Sequence, residues 1–352
     1  MKSKIRGFLI LAAVIAAALV YYYVQGRKVP VTVISGYLGG EKVGLLEDEE
    51  VQDILLRKYN LQIEYSRAGS LDMVDADLEG RDYLFPSSQV ALELYRSRYG
   101  NPVRSEILFN TPIVMYTRTE VANALEANGY LSDLGNGARS VDLKKLAQAI
   151  LDGTTWKDIG LTDYYGALTV TSTDPTRSNS GNMYAGLLAN VLSESGTAAE
   201  ENVSLVIPDL VKIFSKSGYM QSSSGVLFSQ FLETGAEPII VGYESQLLEF
   251  AAENPDDWAK LRDDVVMLYP TPTVWSSHPF IALDDAGAKA IDALQDADIQ
   301  NLAWSRHGFR TGVSGASADI SQFDVDGLQS SLKNVIQMPD YPTMEKIIAG
   351  LQ

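Results

Sequence analysis

The first third of the chain alternates two kinds of hydrophobic pattern. Apolar and polar residues alternate in short runs such as Val31 to Ser35 and Leu61 to Tyr65, a period typical of strands. Between these runs, Val51, Ile54 and Leu55 recur at helical spacing. Each strand leads through a loop rich in Gly or Ser into a helix. The pattern therefore predicts an α/β fold with a mainly parallel sheet, whose ligands collect beyond the carboxyl ends of the strands.

Two long extended runs divide the rest of the chain. They are Glu106 to Thr117 and Val265 to Trp275, and both suit crossovers between domains. A chain of 352 residues is longer than one compact core normally holds. We therefore predict two lobes joined by two hinge strands, with residues 29–113 and 269–352 in the first lobe and residues 114–268 in the second.

One strand-to-helix junction is especially polar. Leu168 to Thr171 is predicted as a strand, and the apolar spacing from Met183 to Leu192 predicts a helix. The loop between them, Ser172 to Gly181, is dense in hydroxyls, and Asn179 or Ser180 is predicted as the N-cap. The unpaired N–H groups of such a first turn bind anions or polar oxygens. The alternative is that these polar residues only cap the helix and turn the chain.

The amino terminus carries an apolar segment between basic residues. Lys2, Lys4 and Arg6 precede an uncharged run from Gly7 to Gln25, close to the roughly 20 residues that cross a bilayer. Positive charge ahead of the run places the amino terminus in the cytoplasm. We predict that residues 1–28 form a single-pass anchor in the cell membrane, with the remaining chain periplasmic or extracellular. A cleaved signal peptide is the alternative.

Composition and motifs argue against several classes of function. The formal net charge of −17 disfavours nucleic acid as a partner, and the absence of cysteine removes thiolate, disulfide and lipidated-cysteine chemistry. The two histidines, His278 and His307, have no second histidine at metal-ligand spacing. Ser180 could join His307 in a nucleophilic set, but no nucleophile motif surrounds it. No phosphate-binding or dinucleotide-binding fingerprint is present. We therefore expect no enzyme, no metal and no cofactor.

The remaining class is a binding protein, and most of its candidate residues have short polar side chains or are glycine. Most follow predicted strands in the two lobes, so their hydroxyls and backbone N–H groups could converge on a solute when a cleft closes. Each loop taken alone could be a simple turn. The candidate ligand-binding residues are Ser35, Gly36, Gly40, Gly69, Ser70, Ser87, Ser88, Thr111, Thr173, Ser178, Asn179, Ser180, Gly181, Asn182, Tyr243 and Glu244.

Several of these features together resemble a known family. The exported start, the strand and helix units, the double crossover, the loop Thr173 to Gly181 and the segment Ala303 to Gly312 resemble type 2 periplasmic solute-binding proteins. Within that family the chain is most similar to the sulfate, molybdate and phosphate-type binders of ABC transporters. The sequence Ser178 to Gly181 matches the S-x-S-G pattern that such binders place on the ligand. The resemblance implies a two-lobed type 2 fold that captures a small polar or oxyanion solute and delivers it to an ABC permease in the membrane.

The resemblance also implies ligand contacts at three strand ends of the first lobe. The corresponding residues here are Ser35, Gly36 or Gly40 after the first strand, Ser70 after the second, and Ser87 or Ser88 after the third.

Other residues leave the solute class and the function open. Glu244 would repel a dianion if it pointed inward, or else it caps the following helix, whereas Arg177 would attract one. Tyr37, Tyr243 and Trp275 suit an organic ligand better than a small oxyanion. A second interpretation keeps the fold but makes the protein a membrane-tethered scaffold or sensor that binds a protein partner and does not serve transport.

Overall fold

The computed structural model of the protein describes residues 13–16, 30–312 and 319–352. The strands are β1 (Thr32–Leu38), β2 (Leu61–Arg67), β3 (Tyr83–Phe85), β4 (Arg104–Arg118), β5 (Leu131–Gly135), β6 (Ala138–Asp142), β7 (Ile239–Tyr243), β8 (Val265–Thr271), β9 (Trp275–Ala282) and β10 (Arg310–Thr311).

The α-helices from residue 30 onward alternate with these strands in the first lobe and cluster together in the second. They are α1 (Val43–Glu47), α2 (Glu49–Tyr59), α3 (Asp72–Asp75), α4 (Gln89–Tyr99), α5 (Thr119–Ala127), α6 (Leu143–Leu151), α7 (Asn179–Leu192), α8 (Ile207–Ser215), α9 (Ser224–Thr234), α10 (Glu244–Glu253), α11 (Pro255–Leu261), α12 (Asp285–Leu294), α13 (Ala297–Ser305) and α14 (Tyr341–Leu351).

The long strand β4 connects two lobes. Its residues 104–112 pair with β9, beside β3, β1 and β2 of the first lobe, and its residues 113–118 pair with β7 and β8 of the second. The chain therefore crosses between the lobes within β4 and returns between β8 and β9. These are the two extended runs that the sequence predicted as crossovers. The exact residue bounds proposed for the lobes stay a prediction.

The sheet is mixed, so the prediction of a mainly parallel sheet is wrong. Within the described strands, β1 pairs in parallel with β2 and β3, and β6 with β8, whereas every pairing of β4 is antiparallel. The local strand and helix units do give parallel neighbours. Strands β7, β8 and β9, which are distant in the sequence, then pair with β4 in the antiparallel direction. A local sequence pattern does not indicate such long-range pairing.

Two predicted boundaries also differ from the structure. The predicted strand Leu168 to Thr171 is reduced to one bridge at Thr171, whose N donates to Ile239 O at 2.9 Å and whose O accepts from Val241 N at 2.9 Å. Strand β1 continues to Leu38, three residues beyond its predicted end. Residues expected in a loop after β1 therefore lie within the strand.

Each lobe has its own core, and the carboxyl-terminal helix contacts both lobes. Helices α12 and α13 contribute Ile291 and Ala303 to the first-lobe core. Helix α14 contributes Met344 and Ile347 to the second-lobe core, while Tyr341 packs against an apolar group of the first lobe. The two lobes are thus joined by β4, by the return crossover and by the packing of α14.

The predicted amino-terminal anchor is residues 1–28, and of these only 13–16 are among the described residues. Among the residues that the structure does describe, no helix is both long and apolar enough to cross a membrane.

Candidate functional site

A cleft of about 820 Å³ opens between the two lobes. The first lobe contributes the turn at Gly39–Glu41 and residues 67–70, which begin at the last residue of β2. The second lobe contributes residues 177–180 at the start of α7, residues 222–230 around the start of α9, and side chains of α10. The cleft has the size of a small-molecule site.

The start of α7 faces this cleft without a side-chain cap. Ser178, rather than the predicted Asn179 or Ser180, occupies the N-cap position, and its side chain makes no capping hydrogen bond. Its hydroxyl instead lies 3.3 Å from that of Ser180, which is 2.6 Å from the hydroxyl of Thr173. The positive end of the helix dipole and its first backbone N–H groups are therefore available to an acceptor in the cleft.

Glycine at position 181 is required by the close approach of this loop to the helix. A Cβ atom on Gly181 would lie 2.2 Å from the carbonyl oxygen of Thr173. Any side chain would push the strand-to-helix loop away from the first turn of α7. Gly181 thus acts on the site through packing.

Four residues of the first lobe form a buried polar group that we call the cleft cluster: Glu41, Lys42, Ser87 and His278. Lys42 is fully buried, and its ammonium donates to Glu41 Oε1 at 2.9 Å, Ser87 Oγ at 2.7 Å and His278 Nδ1 at 3.1 Å. Burial lowers the pKa of Lys42, and the neighbouring Glu41 carboxylate opposes this effect. Glu41 also lines the cleft, so the cluster couples a buried cation to the cleft surface.

His278 is neutral in this arrangement. Burial, together with the charge of Lys42, holds the pKa of His278 well below its ordinary value. The hydroxyl of Ser276 donates to Ser87 O at 2.7 Å and lies 3.2 Å from His278 Nε2. The imidazole therefore accepts from Lys42 through Nδ1 and donates to Ser276 through Nε2.

Asn179 and Tyr243 connect the second lobe to the first. Asn179 Nδ2 donates to Ser87 O at 3.1 Å and to the hydroxyl of Tyr243 at 2.9 Å. Burial raises the pKa of Tyr243, so its hydroxyl stays protonated and can itself donate. The lobes therefore already touch at the start of α7.

The rim of the cleft carries acidic side chains. Glu249 and Glu253 lie one turn apart on α10, and Glu249 Oε1 is 2.7 Å from His307 Nδ1. His307 Nε2 lies 3.4 Å from a carboxylate oxygen of Asp48. Burial and the charge of Glu249 raise the pKa of Glu253.

Glu244 does not face the cleft but belongs to a second buried group, the hinge ion pair of Glu244 with Arg310. Arg310 Nε and Nη2 bind the two carboxylate oxygens at 2.6 and 2.9 Å, and the hydroxyl of Tyr269 donates to Glu244 at 2.6 Å. Arg310 lies on β10 of the first lobe and Glu244 begins α10 of the second. The carboxylate is thus neither a helix cap nor a group that repels the solute.

The other predicted residues fall into two groups. Gly40, Gly69, Ser70, Ser178, Asn179, Ser180 and Tyr243 line the cleft. The others do not line the cleft. In the first lobe, Ser35 contacts Arg81 and Asp82, Gly36 packs on Tyr83, Ser87 lies in the cleft cluster and Ser88 caps α4. Thr111 accepts from Ser245 N, Thr173 and Gly181 support the loop before α7, and Asn182 lines a side cavity.

The sequence did not predict a role for Glu41, Lys42, Glu249 or Glu253 at the cleft. Lys42, Glu41 and His278 converge from segments up to 236 positions apart. Glu249 and Glu253 have the spacing of an ordinary solvated helix face. The only available signal was the position of Glu41 and Lys42 directly after the predicted glycine-rich loop.

Comparison with known proteins identifies the fold. No protein-family model and no curated protein matches the chain. It is similar to a periplasmic thiamin binding protein (11% identity, TM-score 0.59, covering 91% of this chain and 95% of that one). It is also similar to the apo ferric ion-binding protein A of Pasteurella haemolytica (12% identity, TM-score 0.56, covering 91% of this chain and 95% of that one). A third similar structure is the sulfate-binding protein SubI of Mycobacterium tuberculosis (14% identity, TM-score 0.55, covering 91% of this chain and 96% of that one). The chain has the two-lobed fold of type 2 periplasmic solute-binding proteins, which confirms the fold that the resemblance implied.

Proposed function

We propose that this protein is an extracytoplasmic receptor that captures a small polar or anionic solute between its lobes and delivers it to an ABC permease. The observation that carries the proposal is the uncapped start of α7, which faces the Gly39–Glu41 turn and Ser70 across a cleft of about 820 Å³. Backbone N–H groups and hydroxyls from both lobes can replace the hydration shell of a solute there.

Contacts between the lobes support a closing mechanism. Asn179 of the second lobe bonds the backbone of Ser87 in the first. A solute that touches both α7 and the Gly39–Glu41 turn binds the closed arrangement better than an open one and therefore shifts the equilibrium toward closure. The lobes move about β4 and the return crossover in this proposal.

Binding is a better account of the cleft than catalysis. Lys42 and His278 of the cleft cluster are fully buried and have their polar partners within the cluster and Ser276. The similar structures are named for thiamin, ferric ion and sulfate, which differ too much to identify one solute for this chain. Attachment to the cell membrane through residues 1–28 belongs to the same proposal and would keep the receptor near its permease.

A thermal-melt screen of the full-length chain tests the receptor function. The panel contains sulfate, molybdate, tungstate, phosphate, amino acids, sugars and polyamines. A solute at 100 times its dissociation constant adds about 2.7 kcal/mol to stability, which raises the melting temperature by a few degrees. A selective shift supports the receptor function. A flat response across the panel would favour the tethered scaffold or sensor, and the search would turn to protein partners.

The variant Ser180→Ala tests whether the solute binds at α7. We expect solute affinity to fall by about 1–3 kcal/mol because an acceptor in the closed cleft loses a hydroxyl partner. Stability should fall by only about 1 kcal/mol, since Thr173 loses one hydrogen bond. Ser132→Ala on β5, outside the cleft, is the control. Unchanged affinity in Ser180→Ala would remove this loop from the binding site.

A further inference from the structure

The cleft carries unpaired charges of both signs. Arg67, Arg177 and Glu253 all line it, and none forms an ion pair with another residue in the described part of the chain. Opposite charges that share a solvated cleft without meeting are held apart by the scaffold. Each is therefore available to a ligand group of the other sign.

The basic end lies at the start of α7. Arg177 directly precedes the uncapped first turn of this 14-residue helix. A second observation at this end also points to a ligand. Asn182 is only 4% exposed, and its Nδ2 has no hydrogen-bond partner among the described residues. It lines a side cavity of about 30 Å³ that shares Gly69 and Arg177 with the cleft. An acceptor oxygen in this side cavity would satisfy this donor.

The acidic end lies on α10. Ligand atoms of Glu249, Glu253 and His307 lie within 4.8 Å of one another. His307 holds Glu249 Oε1 at 2.7 Å, which fixes that carboxylate. Since the carboxylates of Glu249 and the exposed Glu253 lie within 4.8 Å of each other, they repel each other, and a cationic group between them would relieve this repulsion. Phe250, on the same helix, also lines the cleft.

A simple anion does not match this distribution. The cleft wall contains three glutamates, Glu41, Glu249 and Glu253, against the two arginines Arg67 and Arg177. Lys42 balances only Glu41, so a purely anionic solute would gain at α7 but would also meet the carboxylates of Glu249 and Glu253 on α10.

We infer that the solute is a zwitterion, with an oxyanion group bound at Arg177 and the start of α7 and an ammonium group bound at Glu249 and Glu253. The inference rests on the proposed function, because it assigns the two ends of the same cleft. It narrows the solute class from polar or anionic molecules to organic molecules that carry both charges.

Matched pairs of solutes test the inference on the full-length chain. Each pair differs only in an amino group: 2-aminoethyl phosphate with ethyl phosphate, taurine with ethanesulfonate, and 4-aminobutyrate with butyrate. Calorimetric titration should give an affinity about tenfold higher for the amino member of the pair that binds, which corresponds to one well-placed charge interaction. In Glu249→Gln/Glu253→Gln this preference should fall below about threefold. Arg177→Gln should weaken both members equally, and Glu233→Gln on the exposed end of α9 should change nothing.

Each contrary result has a distinct meaning. Equal or tighter binding of the member without the amino group overturns the zwitterion but leaves the receptor function standing. Stabilisation by Zn²⁺ or Ca²⁺ alone that is lost in Glu249→Gln/Glu253→Gln, without any ammonium preference, assigns the acidic end to a metal ion and also overturns it. If neither these pairs nor the wider solute panel binds, the receptor function itself fails together with the inference. Melting curves without solute show whether each variant is folded.

Discussion

The cleft cluster and the hinge ion pair each hold a buried cation next to a glutamate, but they use different cations. Arg310 is 7% exposed and binds both oxygens of Glu244, which is itself fully buried. Lys42 is fully buried but binds one oxygen of Glu41, which lines the cleft. The two hydrogen bonds between Arg310 and Glu244 hold β10 and α10 together. The single bond from Lys42 leaves the other carboxylate oxygen of Glu41 for a solute.

The chemistry of the two cations explains this division. A guanidinium keeps its proton at every pH that a folded protein meets, so Arg310 always needs its counter-charge. An ammonium can release its proton when burial becomes too costly, and burial already lowers the pKa of Lys42. The junction between the lobes therefore has an ion pair whose cation stays charged. The cleft has an ion pair whose cation can lose its proton.

The largest effect is expected at the hinge. Glu244→Gln removes the charge that balances Arg310 but preserves the shape of the side chain. We expect a loss of about 3–5 kcal/mol in the free energy of unfolding, because a buried guanidinium is left uncompensated. Urea unfolding measures it. Adding Arg310→Met to this variant should recover part of the loss, and a loss below about 1 kcal/mol in Glu244→Gln would contradict a structural role for the pair.

The same substitution in the cleft cluster should cost less and should depend on pH. Glu41→Gln removes a counter-charge whose presence raises the pKa of Lys42, so the folded pKa of Lys42 falls further. We expect a loss of about 2 kcal/mol near neutral pH, smaller than at the hinge because Lys42 can deprotonate. Between the folded pKa and the ordinary value of 10.5 the unfolded chain binds more protons, so stability recovers as pH rises.

Urea unfolding of both variants at neutral and alkaline pH checks this difference. Glu244→Gln should show no comparable recovery, since Arg310 does not titrate in this range. An equal and pH-independent loss in the two variants would mean that Lys42 and Arg310 behave as the same kind of buried cation.

The contrast between these regions also shows what the sequence could predict. The strand and helix units and the two crossovers follow local periodicity, and the helix predicted from Met183 to Leu192 lies within α7 and ends at the same residue. The single bridge at Thr171 could not be predicted, because pairing partners are chosen by tertiary packing. The burial of Lys42 could not be predicted either, because an isolated lysine is normally a surface residue. Only the folded chain places His278 and Glu41 beside it.

The effect that we expect to be smallest near neutral pH is a loss of stability on acidification, which comes from His278. Its folded pKa lies well below the ordinary value of 6.5, so just below that pH the unfolded chain binds a proton that the folded chain does not. The free energy of unfolding should therefore fall as pH falls from 6.5 toward the folded pKa, by up to about 1.4 kcal/mol per pH unit. In His278→Gln this contribution disappears, because an amide has no proton to gain, whereas Glu244→Gln should retain it. Urea unfolding of the three proteins at half-unit steps of pH measures the slopes. Equal slopes in wild type and His278→Gln would mean that the cleft cluster admits a protonated imidazole next to Lys42, and the cluster would then be as permanently charged as the hinge.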